Sequence, residues 1–442
     1  MLGNYRKKQY SDWPQLEPSL LFGHLEIQGQ EWKSLRRRFN PGFSHQHLIS
    51  LLPCILDKMQ RFLSMLDEYV DSAKDFLFDE LCTNFTSDIT GAIPMDVDIY
   101  AQFGGERQSE LAYLYRELSS SYHNSSDIWA WLSPRVALRR RSLSRRLDNL
   151  IKTLFKKRFL CRKEALILTP SKLREVYFVS LSPHTLAQTC DQLKSFLSGH
   201  DTTRILLQWA FYELSRTPRA MIAIRAELGE LFGLDSSPRS VHEKLLAHGE
   251  ALLQKLSYTS AVIKETFRLY PPSGTSRYSP LGTGFNVSVP YNSDVCIDGV
   301  VVYNCETIIQ RDEAMYGATK DDFVPERWLG NTDTATSRTG ESAFGNTSVF
   351  PGAWWPFERG PRNCIGQELA NIEVRVILAC ALRRYDWEKI GLGKIARNDL
   401  GEPIVKQNGQ YKVKSELYNV IAPTDNYLIM LNVDKIYKQK YR

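Results

Sequence analysis

One cysteine sits among neighbours that would change what its sulfur can do. Cys364 lies in Phe357-Glu358-Arg359-Gly360-Pro361-Arg362-Asn363-Cys364-Ile365-Gly366, with glycines on both sides and an arginine two residues ahead of the thiol. An apolar run at helical spacing follows through Leu369, Ile372, Val376, Ile377 and Cys380. A thiolate that ligates a metal needs positive charge, backbone N–H donors or a helix N-terminus to hold its proton off, and the start of this run supplies the last. Gly360 and Gly366 let backbone and a flat cofactor approach where a Cβ would keep them apart. Arg362 is placed to meet an anionic group on that cofactor. For any lone cysteine a buried structural role is the better reading. Here Phe-x-x-Gly-x-Arg-x-Cys-x-Gly fixes five residues at once, and that favours a ligand.

Three further groups carry chemistry by type and spacing. Asp201 and Thr202, in Ser198-Gly199-His200-Asp201-Thr202-Thr203, put a carboxylate beside a hydroxyl, a pair that can hold and pass protons. That stretch is poor helix sequence, with a glycine and two β-branched threonines, so a simple kink explains it equally well on propensity alone. Glu265 and Arg268 are three apart in a helical run and can pair; at a surface such a pair contributes little. Trp32 and Arg36 are four apart in Glu31–Pro41 and share a helix face, which taken alone reads as a basic amphipathic turn.

The elements that must position these groups are mostly helical. Residues 48–90 hold one helix (Leu51, Ile55, Met59, Phe62, Leu63, Leu66) and a second amphipathic piece, and 105–165 hold helices broken at Pro134. A helix from Ser182-Pro183 to Thr217-Pro218 would be about 50 Å long at roughly 1.5 Å per residue. Residues 218–233 form an amphipathic helix, and one more follows that contains Lys264 to Pro272. Residues 280–310 read as short strands, Asn331–Ser348 as a surface loop and Tyr411–Val433 as a final hairpin. There are no internal repeats.

Composition bounds the rest. The 442 residues are 43% hydrophobic and 24% charged, as expected of a globular chain able to bury a core. A net charge of +6 is too mild to argue for nucleic acid. The eight cysteines include no C-x-x-C, so neither a zinc site nor a disulfide framework is indicated, and a reducing compartment fits. No run of 18 apolar residues and no signal peptide is present. Arg135 to Lys163 holds twelve basic residues against one acid, Asp148. The plain reading is a solvated helix face; a peripheral contact with a membrane surface is the functional alternative.

Together these motifs resemble the cytochrome P-450 superfamily, over about residues 25–435 and in the expected order. The resemblance implies one mainly α domain with a small β region spanning 1–442. It implies that Cys364 is the fifth ligand to iron in haem b (iron protoporphyrin IX), within a loop signature that includes Phe357, Arg362 and Gly366. Trp32 and Arg36 match the family's Trp-x-x-x-Arg helix, which binds a haem propionate, and Arg277 falls where relatives often hold a propionate. Asp201 and Thr202 match the acid–alcohol pair that delivers protons to bound dioxygen. Glu265 and Arg268 match the family's buried Glu-x-x-Arg pair, joined by Arg327 of Pro325-Glu326-Arg327-Trp328 into a triad that locks the cysteine loop. Two departures stand out. Relatives have one more residue between Phe196-Leu197 and the glycine, and a deletion there would turn the helix beyond it by about 100°. The Trp-x-x-x-Arg helix begins near residue 31, so the anchor and first helices of full-length relatives are expected to be absent.

The activity so implied is that of a haem-thiolate monooxygenase, which puts one oxygen atom from O2 into a small hydrophobic organic substrate. The texture is similar to fungal microsomal members acting on polyketide-type metabolites or lipids. Electrons would come from NADPH through a separate NADPH-cytochrome P-450 reductase, on the cytosolic face of the endoplasmic reticulum. An O2-independent haem isomerase or dehydratase, which tends to lose the acid–alcohol pair, and a non-catalytic remnant are the alternatives. Ser273 to Ser276 and Ile421 to Thr424 are candidate pocket walls.

Overall fold

The computed structural model describes residues 29–72, 75–103, 109–123, 133–168, 199–288, 294–329, 353–390, 393–414 and 436–441. The expected helix start at Ser182-Pro183, the Phe196–Ser198 departure, the Asn331–Ser348 loop and the pocket-wall stretch Ile421 to Thr424 lie outside them. So does most of the Tyr411–Val433 hairpin.

The described chain is mostly helical with small antiparallel sheets, matching the expected class. In order come α1 (Gly29–Phe39), α2 (His45–Ser50), α3 (Leu52–Ser72), β1 (Phe76–Leu77), α4 (Phe78–Met95), α5 (Glu110–His123) and α6 (Pro134–Leu168). Then follow α7 (Gly199–Arg216), α8 (Pro218–Phe232), α9 (Pro238–Lys255), α10 (Ser257–Leu269), β2 (Thr275–Tyr278), β3 (Asn286–Val287), β4 (Val295–Cys296) and β5 (Val301–Asn304). Two short helices, α11 (Glu306–Ile309) and α12 (Glu313–Tyr316), precede α13 (Gln367–Arg384), β6 (Tyr385–Ile390) and β7 (Ile436–Tyr441). Pro134 and Pro218 each stand first in their helix, where the missing N–H costs nothing. Gly233 ends α8 at φ 74°, a conformation that favours glycine.

The residues gather into two compact units, each drawn from separate stretches of chain. One takes Met1–His47, Asn84–His200 and Thr275–Asn304. In it α6 packs along α5, burying Leu143, Leu147 and Ile151 with Leu111, Leu114 and Leu118. β2 pairs antiparallel with β5, and β3 with β4.

The other unit takes Leu48–Thr83, Asp201–Gly274 and Cys305–Arg442. Its centre is α13, buried on every side (Leu369, Ile372, Val374, Val376, Ile377, Leu378) because α3, α8, α9 and α10 all lie against it. A three-stranded sheet, in the order β1-β7-β6, sets Tyr385 opposite Tyr441 and Phe76 opposite Tyr437. Along β6 the buried positions alternate (Tyr385, Trp387, Lys389), the pattern of a strand with one face on a core. Trp387 meets Phe78 and Phe211 with ring centroids 5.1 and 4.4 Å away.

One expectation needs correction. After 218–233 the sequence predicts one further helix, containing Lys264 to Pro272; the structure has two, α9 and α10, with Leu256 (φ −73°, ψ 67°) between them. The start of α10 is capped from a distance: Glu227 of α8 accepts from the Tyr258 and Thr259 N–H groups at 2.5 and 2.9 Å.

Candidate active site

The cysteine loop is held by its own backbone. The Cys364 N–H donates to Phe357 O (2.9 Å), the Asn363 N–H to Gly360 O (3.0 Å) and the Glu358 N–H to Trp355 O (2.8 Å). Two tight bends make this closure, with Glu358 at φ 60° and Gly360 at φ 83°. Only the second is easy for its residue, and the strained glutamate marks a loop whose shape is imposed by its surroundings. α13 begins three residues after Cys364, with Gly366 as its N-cap, so the positive end of a long helix stands beside the sulfur. Cys364 is exposed, and Arg362 is half-buried two residues before it.

Behind the loop stands α10, buried from Ala261 to Leu269. Glu265 and Arg268 form a fork, with Nε to Oε2 at 2.9 Å and Nη2 to Oε1 at 2.8 Å, both side chains fully buried. Arg268 gives its remaining N–H groups to Gln310 O (3.0 Å), Lys320 O (2.5 Å) and Asp322 O (2.9 Å). All five of its donors are used. Arg327 Nε reaches Glu265 Oε1 at 3.1 Å, and the structure adds two donors that sequence reasoning missed: Trp328 Nε1 at 2.8 Å and Val324 N–H at 2.9 Å. Glu265 thus meets four donor groups, the complete pairing that a buried carboxylate needs.

The triad braces segment 310–328 directly; other groups carry that rigidity to the cysteine loop. Gln310 donates to Phe267 O and Arg268 O (3.1 and 3.3 Å) while its Oε1 accepts from Trp355 N–H (3.0 Å). Trp354 Nε1 donates to Lys264 O (3.1 Å), and the Trp354 and Trp328 rings sit 5.6 Å apart. The Phe357 ring meets Phe267 edge-on at 4.7 Å. Lys264 lies along this wall, its ammonium 5.8 Å from the Trp328 ring centre. Burial, with help from Arg375, lowers it to about 8.

Asp201 and Thr202 stand in the first turn of α7 as described. Asp201 is buried and Thr202 half-buried. Asp201 pairs with Arg204, one turn on, with Nη2 to Oδ1 at 3.4 Å. Arg204 also binds Asp79, which accepts from Gln208 as well. No feature of the sequence marks Asp79, 125 residues away from Arg204.

In the first unit, Trp32 and Arg36 share α1 at the expected four-residue spacing, both half-buried, and Arg36 Nε donates to Asn40 Oδ1 at 2.8 Å. Arg277 lies on β2 with its Cα opposite Val302; its side chain lies outside what is described.

These residues fit a haem. One protein sulfur is too few ligands for a bare ion, and among the described residues no three His, Cys, Asp or Glu side chains could hold one. A metal held through Cys364 alone would arrive in its own ligand frame, as iron in a porphyrin does. The loop also leaves room: a Cβ at Gly366 would sit 3.8 Å from Cys364 Sγ, in contact with it, and one at Gly360 would meet nothing within 4 Å.

Comparison with known proteins agrees. The family model of cytochrome P450 matches residues 17–415. The cytochrome P450 monooxygenase acrF of Aspergillus aculeatus is 30% identical over 389 residues, 82% of this chain and 74% of that protein. The cytochrome P450 monooxygenase polC of Polytolypa hystricis is 25% identical over 82% of this chain and 64% of its own length. Cytochrome P450 52A10 of Candida maltosa is 27% identical over 84% and 70%. The matches therefore span about two thirds to three quarters of these relatives. The chain belongs to the cytochrome P450 family, whose members carry haem, and is an oxidoreductase of the monooxygenase kind.

Proposed function

We propose that Cys364 is the thiolate ligand of haem b and that the protein inserts one oxygen atom of O2 into a small hydrophobic substrate, a polyketide-type metabolite or lipid. The observation that carries this reading is the setting of the sulfur: exposed, in a closed loop, three residues ahead of a buried helix, with Gly366 close beside it. Haem, when bound, supplies the redox-active iron at which dioxygen is activated.

The chain's own groups divide the remaining work. The α13 N-terminus and positive charge from Arg362 keep Cys364 deprotonated. Arg362, Trp32, Arg36 and Arg277 are assigned to the propionates, where arginine forks suit carboxylates, and Phe357 packs the loop against α10. Thr202 orients water with its hydroxyl, and Asp201 holds and passes protons. Glu265, Arg268 and Arg327 stabilise the wall behind the loop and take no part in chemistry. Electrons are assigned to NADPH through a separate NADPH-cytochrome P450 reductase, at the cytosolic face of the endoplasmic reticulum. Fungal relatives called monooxygenases support the reaction class. No helix among the described residues is long and apolar enough to cross a membrane.

The test is spectroscopic. Haem-loaded protein, reduced under carbon monoxide, should show the red-shifted Soret band of a thiolate ligand, and Cys364→Ala should abolish it. A variant that keeps the band would overturn the assignment.

A further inference from the structure

One strongly charged surface is used neither by the proposed chemistry nor by the packing around it. On the side of α6 that faces α5, basic residues are answered. Arg146 Nη2 pairs with Glu110 Oε1 at 2.7 Å, Arg139 pairs with Glu117, and Arg140 donates to Ser121 O. The opposite side carries Leu138, Arg141, Arg145, Lys152 and Lys156. Their helical spacing lays them in one stripe about 27 Å long, at roughly 1.5 Å per residue. All are exposed except Lys152, which is half-buried. Leu138 stands 67% exposed among the arginines. None of the four basic residues has a hydrogen bond or ion pair among the described residues. Asp148, the only acid of α6 whose side chain is described, stands one turn from Arg145 and Lys152 but is half-buried, and its one charge offsets one of these at most.

We infer that this stripe lies against the anionic headgroup surface of a membrane, with Leu138 entering the apolar edge of that layer. Long basic side chains attract acidic lipids and lay their stems along the boundary, and an apolar residue between them adds burial that only a lipid surface offers. A nucleic-acid strand would gain nothing from Leu138, and the stripe holds no aromatic residue to stack on bases. The inference needs neither haem nor turnover, so it stands or falls apart from the proposed function.

The experiment measures sedimentation of the full chain with vesicles. Phosphatidylcholine mixed with phosphatidylserine should bind it, and phosphatidylcholine alone should not. Raising ionic strength from about 0.1 M to about 1 M, which shortens the screening length from roughly 10 to 3 Å, should release it. Arg141→Ala with Arg145→Ala should weaken binding roughly 25-fold, at about fivefold per basic residue. Arg139→Ala with Arg146→Ala removes the same charge from paired positions and should weaken it by less than about fivefold. Arg141→Lys with Arg145→Lys should retain binding, and Leu138→Ser should cost less than the arginine pair with an unchanged salt dependence. No preference for the acidic vesicles would overturn the inference. Equal loss in the two alanine pairs would also overturn it, leaving net charge as the cause. Tighter binding to a duplex oligonucleotide than to the acidic vesicles would assign the stripe to nucleic acid instead.

Discussion

Glu265 with Arg268 and Asp201 with Arg204 are written alike: an acid and an arginine three residues apart, all four buried. They are built differently. Glu265 is long enough to take the guanidinium as a fork at 2.8 and 2.9 Å, and Arg268 spends its other donors on three carbonyls. Asp201 is one methylene shorter and meets Arg204 through a single 3.4 Å contact, while Arg204 leans on Asp79. The first arrangement closes on itself and fixes backbone. In the second, two carboxylates share one guanidinium, and the contact between Asp201 and Arg204 is long. The first geometry is that of a brace and the second divides its arginine, although the two share one sequence spacing.

The comparison breaks most visibly at Arg268. Arg268→Ala would take the buried fork from Glu265 and leave three carbonyls without their donor, at a cost of roughly 3–5 kcal/mol. Little haem-containing protein should then accumulate, and denaturant midpoints should fall by a corresponding amount. Arg268→Lys should rescue little of this, because an ammonium cannot reproduce five donors in a fork. Normal haem content with lost turnover would mean that the pair is not a brace.

Glu373, on α13, shows burial in isolation, since desolvation is the only cause that raises it, to about 8. The folded state keeps this proton while the unfolded chain releases it near 4.5. Its contribution is therefore fully present below pH 4.5 and lost as pH rises toward 8. Glu373→Gln should match the parent in acid and exceed it by a few kcal/mol near pH 8, at roughly 1.4 kcal/mol per pH unit. Parallel stability profiles for the two proteins would show that Glu373 is ionised in the fold.

Arg204 comes next. Arg204→Ala should cost roughly 1–3 kcal/mol. That is less than the loss at Arg268, because Asp79 is partly exposed and can turn to water. Adding Asp79→Asn should restore part of it by removing one of the two stranded charges. A loss as large as that of Arg268→Ala would erase the distinction between the two pairs.

What the sequence revealed follows the reach of each interaction. The Cys364 loop, the helix start behind it and the Glu265–Arg268 pair are set by residues within one or two turns of each other, so spacing alone exposed them. Arg327 was legible only through its motif. Gln310, Val324 and Trp328 complete the same wall but lie 42 to 63 residues from their partners, where no periodicity reports a contact. The break at Leu256 was invisible for a similar reason. Neither proline nor glycine marks it, and the carboxylate that caps α10 comes from α8. β6 and β7 are short strands joined across 45 intervening residues, and each reads as ordinary chain until paired.

Thr202 gives the smallest structural effect and the sharpest question. Its side chain is half-buried in the first described turn of α7, beside Asp201. A threonine is a poor helix residue, so Thr202→Ala should leave stability within about 0.5 kcal/mol or raise it slightly. Haem content and the reduced carbon monoxide spectrum should not change, because neither the cysteine loop nor the Glu265 wall is touched. What should change is the fate of electrons. Without the hydroxyl that orients water, NADPH and O2 should still be consumed with reductase present, but a larger share should leave as hydrogen peroxide. Asp201→Asn should instead slow consumption itself, since the amide keeps the shape and cannot carry the proton. The two variants therefore separate orientation from transfer. Peroxide yield unchanged in Thr202→Ala, with consumption unchanged in Asp201→Asn, would remove both residues from the chemistry. The long contact to Arg204 would then be no more than an imperfect copy of the brace at Arg268.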